Sequence, residues 1–293
     1  MLDVVIVFER EWFLVLEAVL LALAGFVIGI FSGLLGVGGG TVIVPVLRLG
    51  FAFEAVCATA TSLFTIIFTS VGGTVTHLRN KTAIPQLSVC LGLGGAVTSA
   101  LGALLGSMSP SWMIMLAAAL IISYSCLTML RKALKLPKDG SKPAAAPAAG
   151  TAAAEPKVTV VPPSEDFVFT WKKGLGGVAI GLAAGLASGY VGVGGGFLMV
   201  PLMVNLLKVP MRKASGTSLI AIMILAIPGV VTQLSLGNVD VVAGLCIALG
   251  SIPGAMLGAR FVTRIPERRL RFIFAGFLGV AAVCLMLNEL KLF

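Results

Sequence analysis

The chain has 293 residues, of which 58% are hydrophobic and 11% charged, and its mean hydropathy is +1.08. That balance excludes an ordinary soluble domain. The formal net charge of +9 does not point to nucleic acid, because the basic residues lie in loops between apolar stretches, where they orient a membrane protein.

In chain order, the first apolar stretch covers 14–35. Ala22-Leu23-Ala24 imitates a signal-peptidase site, but Asp3, Glu9, Glu11 and Glu17 outnumber Arg10, so a retained helix is expected. The stretch runs into Gly36-Val-Gly-Gly-Gly40 and a short apolar arm, Thr41–Leu49, containing Pro45. Stretches of spanning length follow at 56–78, 85–106 and 111–130. After the Ala/Pro-rich segment 132–172, the order repeats. A stretch at 174–191 leads to Gly192-Val-Gly-Gly-Gly196, a short arm at 197–207 with Pro201, and stretches at 214–234, 241–259 and 270–288. About 20 apolar residues cross a hydrocarbon core of about 30 Å. A ten-residue arm covers about half of it, so each glycine break is expected to turn a hairpin near mid-depth.

The reading is an all-α polytopic membrane protein of two repeats, each a glycine-broken hairpin plus three transmembrane helices. Residues 1–131 form the first repeat, 132–172 the linker and 173–293 the second repeat. Gly33–Pro45 matches Gly189–Pro201 at an offset of 156, and the same offset pairs Ala58, Thr61, Ser62, Leu63, Thr76, Cys90 and Gly94 with identical residues. Equivalent loops have opposite charge bias. His77, Arg79 and Lys81 face an uncharged-to-acidic counterpart at 235–240, whereas uncharged 106–111 faces a loop with Arg260, Arg264, Arg268, Arg269 and Arg271. By the positive-inside rule the two copies are expected to cross in opposite senses, with both termini outside and the lysine-flanked linker cytoplasmic. Its composition predicts a flexible tether.

The glycine breaks are the foremost binding candidates. Gly38, Gly39, Gly40, Gly194, Gly195 and Gly196 leave amide N–H groups uncovered, adopt positive φ readily and precede the positive ends of short helices. Irregular backbone at membrane depth is tolerated where it is buried in protein or lines a polar cavity. The structural alternative is a tight turn for close packing. Pro45 and Pro201 are expected just inside the short helices, where a missing N–H costs little. Thr61, Ser62, Thr217 and Ser218, with Thr59 and Ser215, could donate hydroxyls to an anion, or bond back to helix carbonyls. Thr76, His77, Thr232 and Gln233 are weaker candidates. Gly25, Gly29 and Gly33, with Gly181, Gly185 and Gly189, read as stripes for close helix contact.

The glycines fit neither a P-loop nor a dinucleotide fingerprint. Glu17 is the one carboxylate well inside an apolar stretch, too little for a proton relay. The five cysteines, Cys57, Cys90, Cys126, Cys246 and Cys284, lack metal or disulfide spacing. No catalytic residue, metal or cofactor is expected, and the partners are a small anion and the lipid bilayer, not nucleic acid.

The doubled Gly-x-Gly-Gly-Gly-x-x-x-x-Pro signature, Gly36–Pro45 and Gly192–Pro201, together with Thr61-Ser62, Thr217-Ser218 and the polar linker, resembles the sulfite exporter TauE/SafE family. The resemblance covers the chain outside the linker. It implies a multi-pass carrier in a prokaryotic plasma membrane for sulfite, sulfoacetate or related sulfonates. Three functions remain open at this point: a carrier with alternating access, an anion channel with the same site, and a membrane scaffold or sensor without transport.

Overall fold

A computed structural model describes residues 2–135 and 170–290. They form α1 (Leu2–Leu35), α2 (Gly40–Gly50), α3 (Ala55–Arg79), α4 (Pro85–Ser107), α5 (Ser111–Lys135), α6 (Trp171–Val191), α7 (Gly196–Leu206), α8 (Met211–Ser235), α9 (Val241–Phe261) and α10 (Glu267–Leu290), with no strand among the described residues. Local chemistry sets the boundaries. Gly36 and Gly192 end α1 and α6 in the left-handed region, at φ +73° and +71°. Pro85 opens α4, and Asp240 Oδ1 caps α9 by accepting the Ala243 N–H at 2.9 Å. The 11-residue α2 and α7 are about 16 Å long, half a hydrocarbon core.

Seven described helices have the length and apolar window of a membrane span. The eighth expected stretch lies in α10, which opens on Glu267, Arg268, Arg269 and Arg271. The expectation of a flexible tether falls largely on 136–169, outside the described residues. Helix α5 runs through Lys135 and α6 starts at Trp171, so helix extends into both edges of the expected linker.

The two copies exchange a helix. In α1, a methyl group at Gly25, Gly29 or Gly33 would fall on the carbonyl oxygen of Ile247, Ser251 or Ala255 in α9. In α6, Gly181, Gly185 and Gly189 stand in the same way against Leu91, Gly95 and Ser99 of α4. Each pairing is the other shifted by 156. Both stripes therefore act as close-packing surfaces, and the partner of each first helix comes from the opposite copy. The result is two lobes, α1 with α3 and α9, and α6 with α8 and α4.

The contact register also fixes helix directions. Thr61, Thr65, Thr69 and Asn80 of α3 and its end bond in order to Asp240, Gly244, Ser251 and Ala259, so α3 and α9 run parallel. Ile84 bonds Thr217, Gly92 packs on Ile224 and Ala103 bonds Gln233, so α4 and α8 run parallel too. Residues 80–84 reach about 18 Å fully extended, whereas α3, with 25 residues, is about 37 Å long. Helices α3 and α4 must then run in opposite directions. It follows that α3 runs opposite to α8, its own counterpart in the repeat.

Candidate functional site

The two glycine turns meet at the centre, where the lobes touch. A methyl at Gly40 would come within 2.6 Å of the Val193 carbonyl oxygen, and one at Gly196 within 2.8 Å of the Val37 Cα. Ile66 of α3 and Ile222 of α8, counterparts in the repeat, close over the junction. Each would lie about 3 Å from a methyl on Gly38, at 3.1 and 3.3 Å. Val37, Val193, Ile66 and Ile222 are wholly buried, so the junction of the two turns is packed in apolar side chains.

Left-handed backbone gives the turns their shape. Gly38 and Gly39 both have φ +84°, and Gly194 and Gly195 have +88° and +63°, values that L side chains rarely adopt. The backbone bonds made by the turns are few. Gly36 N–H donates to Ser32 O, Gly192 N–H to Ser188 O and Gly196 N–H to Gly194 O, while the Gly39 and Gly195 carbonyls accept from the first turns of α2 and α7. The amides of Gly38, Gly39, Gly194 and Gly195 take part in none of these bonds. They are donors at the N-terminal, positive ends of α2 and α7.

The hydroxyls singled out in the sequence lie beside these turns and serve the backbone in this conformation. Ser62 Oγ donates to Gly192 O at 2.8 Å and Ser218 Oγ to Gly36 O at 2.7 Å, so each copy braces the other's turn. Thr61 Oγ1 accepts the Asp240 N–H at 2.9 Å, and Thr217 Oγ1 accepts the Ile84 N–H at 3.0 Å. Thr59 and Ser215 bond back to Val56 O and Met211 O within their own helices. All six are buried.

The weaker candidates lie apart from the turns. His77 Nε2 is 2.8 Å from Gly33 O and Nδ1 is 2.8 Å from Thr82 Oγ1. Gln233 Nε2 donates to Ala103 O, and Thr232 bonds back to Pro228 O. Glu17 is exposed on α1. Pro45 and Pro201 are the sixth residues of α2 and α7, past the first turn, because each helix starts directly on the last glycine. They therefore withhold a donor from the Thr41 and Phe197 carbonyls.

Two residues that sequence reasoning passed over lie directly under the turns. Ser32 and Ser188 are counterparts in the repeat and wholly buried, and neither hydroxyl has a hydrogen-bond partner. Ser32 Cβ is 3.6 Å from a methyl placed on Gly39, and Ser188 Cβ is 3.5 Å from one on Gly195. The available signal was the offset of 156, which keeps serine at both positions just before the glycine break. Thr41, Ser70 and Thr74 are further buried hydroxyls without a partner, and their counterparts are Phe197, Ala226 and Val230.

The buried described residues include no Lys, Arg, Asp or Glu, and His77 is their one ionisable nitrogen base. A separate cavity of about 670 Å³ lies between α1, α2 and α10, lined by Val27, Ile28, Phe31, Val46, Phe277 and their apolar neighbours. It offers an anion no donor. The turns are thus the place where buried polar groups converge.

Comparison with known proteins agrees with this architecture. Residues 21–285 match the model of the sulfite exporter TauE/SafE family. The probable membrane transporter protein YdhB of Bacillus subtilis is 28% identical over 249 residues, covering 85% of this chain and 91% of that protein. Its YunE is 28% identical over 262 residues, covering 87% and 92%. A probable membrane transporter protein of Methanocaldococcus jannaschii is 24% identical over 298 residues, covering 97% of this chain and 100% of its own. No solved structure matches. The helices, the doubled glycine turn and a family match over nearly the whole chain lead to one conclusion: this is a multi-pass plasma-membrane transporter belonging to the sulfite exporter TauE/SafE family.

Proposed function

We propose that the protein is a secondary carrier of a small sulfur-containing anion, such as sulfite, sulfoacetate or a related sulfonate, and works by alternating access. The observation that carries this reading is the pair of buried glycine turns, in which the amides of Gly38, Gly39, Gly194 and Gly195 make no backbone hydrogen bond, packed among Ile66, Ile222, Val37 and Val193. Backbone donors at helix N-termini suit an oxyanion, and their dipoles need no reorganisation to receive it. The name of the matching family supports the sulfur-containing class.

In this reading the amides of Gly38, Gly39 and Gly40 and of Gly194 and Gly195 bind the substrate oxygens, while Gly196, whose N–H is held by Gly194 O, shapes the second turn. Ser62 and Ser218 hold each turn from the opposite copy, and Thr61 and Thr217 fix the loops at 236–240 and 80–84. Opening one lobe against the other would expose the centre to one side at a time. The two copies then sit in the membrane in opposite senses, with the termini outside and the linker in the cytoplasm.

Reconstituted protein should take up labelled sulfite with saturation and show counterflow against unlabelled sulfite inside the vesicles. Steady electrical conductance with no counterflow would establish a channel instead, and absence of any flux a non-transporting role. In intact cells, a tag at Phe293 should react with an impermeant reagent while one at Ala148 does not. Both termini inside would refute the opposed insertion.

A further inference from the structure

We propose that the Ser32 and Ser188 hydroxyls are direct substrate ligands, one in each of two half-sites at the two glycine turns, and that these half-sites accept only singly charged oxyanions. This deepens the anion-carrier reading and rests on it.

The serines are distinguished by what they do not do. A serine within a helix ordinarily returns its hydroxyl to a carbonyl three or four residues back. Ser88, Ser99, Ser215 and Ser251 do so here, bonding to Ile84, Ala96, Met211 and Ala248. Ser32 and Ser188 do not, although both are wholly buried. Ser70 and Ser125 are also unbonded, but their counterparts are Ala226 and Ala281. Among the described residues, the pair at 32 and 188 is the one in which both copies keep an unbonded buried serine. Each member lies against the left-handed glycine whose own amide is free. A buried donor left unpaired is costly, and an oxyanion oxygen seated on the turn would satisfy hydroxyl and amide together.

Charge selection follows from the surroundings. The half-sites hold amide and hydroxyl dipoles, and the buried described residues include no Lys or Arg. The cost of moving an ion out of water grows with the square of its charge, whereas attraction to fixed dipoles grows only in proportion to it. A second negative charge therefore raises the cost faster than the gain. The transported form would be a singly charged sulfonate or hydrogensulfite rather than sulfate, fully ionised sulfite or sulfoacetate with its carboxylate ionised.

The test uses two probes of the same shape on the purified full chain, read by ligand-dependent thermal stabilisation. Methanesulfonate carries one charge throughout, and methylphosphonate gains its second as pH is raised through its second ionisation. Both should stabilise the protein below that point. Above it, methylphosphonate should bind about tenfold or more weakly while methanesulfonate is unchanged, which also controls for titration of the protein, His77 included. Ser32→Ala and Ser188→Ala should each weaken methanesulfonate roughly tenfold, as expected for a hydrogen bond to a charged group, and Ser125→Ala should not. Equal affinity for doubly charged methylphosphonate would overturn the charge selection. Parental affinity in both serine variants, or loss of folded protein without ligand, would overturn the ligand role. If neither probe nor sulfite stabilises the parent protein, the anion-carrier reading itself fails, and that outcome is distinct from the others.

Discussion

Along α2 and α3 the first copy buries Thr41, Ser70, Thr74 and His77, and at the same places α7 and α8 of the second copy bury Phe197, Ala226, Val230 and Gln233. The frame around these positions does not differ in this way. Both copies keep the glycine stripe, the left-handed turn, the serine that braces the opposite turn and the threonine that holds the opposite loop. The duplication has been held where geometry requires it and released where only polarity is at stake. Three of the four first-copy groups carry hydroxyls without a partner, so that half of the interior is the more receptive to water or a polar ligand.

The comparison can be broken most forcefully at the stripes. Gly29→Leu and Gly185→Leu each place a side chain on the backbone of the helix from the other copy, at Ser251 and Gly95. Overpacking of this kind costs about 1–3 kcal/mol where neighbours can yield, and a backbone carbonyl cannot. Both variants should lose monodisperse folded protein in detergent, to the same degree. A variant that folds normally would show that the stripe contact is dispensable in that copy.

A smaller effect is expected at the braces. Ser62→Ala and Ser218→Ala each leave a buried carbonyl, of Gly192 or Gly36, without its side-chain donor. That should lower stability by about 1–3 kcal/mol, measured as the thermal midpoint of purified protein. Because Ser218 also bonds Ser215 O within its own helix, its loss frees a second acceptor, and the two variants should still fall within the same range. The smallest effect sharpens the contrast. Ser70→Ala and Thr74→Val convert the first copy to the residues of the second and remove hydroxyls that make no bond. The midpoint should stay level or rise slightly, and a clear drop would mean that these hydroxyls hold the fold together.

Much of the frame was legible because glycine and apolar length carry strong physical meaning in a membrane protein. The short arms expected at 41–49 and 197–207 are α2 and α7, and the stripes proved to be contact surfaces. The identity of each stripe's partner was not legible. A run such as Gly25, Gly29 and Gly33 states that a backbone comes close and says nothing about which one. The hydroxyls posed a similar difficulty. Thr61 and Thr217 attracted attention as donors to a ligand, whereas their oxygens accept backbone N–H groups of loops some 130 to 180 positions away. Ser32 drew no attention because a helical serine ordinarily bonds back, and only the fold reveals that it does not.

The exchanged helices have a consequence for how the protein is made. Helix α1 is made before α9, yet the backbone that its glycines require belongs to α9. Roughly 220 residues separate Gly29 from Ser251, and at about 5–20 residues per second that is roughly 10–45 s of translation. Throughout that interval a helix with a bare glycine seam waits in lipid without its partner, and α4 waits a shorter time for α6. Neither half can then close by itself as it leaves the ribosome. Two fragments divided within the linker should be poorly stable when produced singly and should recover together when produced in the same cell, since each holds a helix that the other needs.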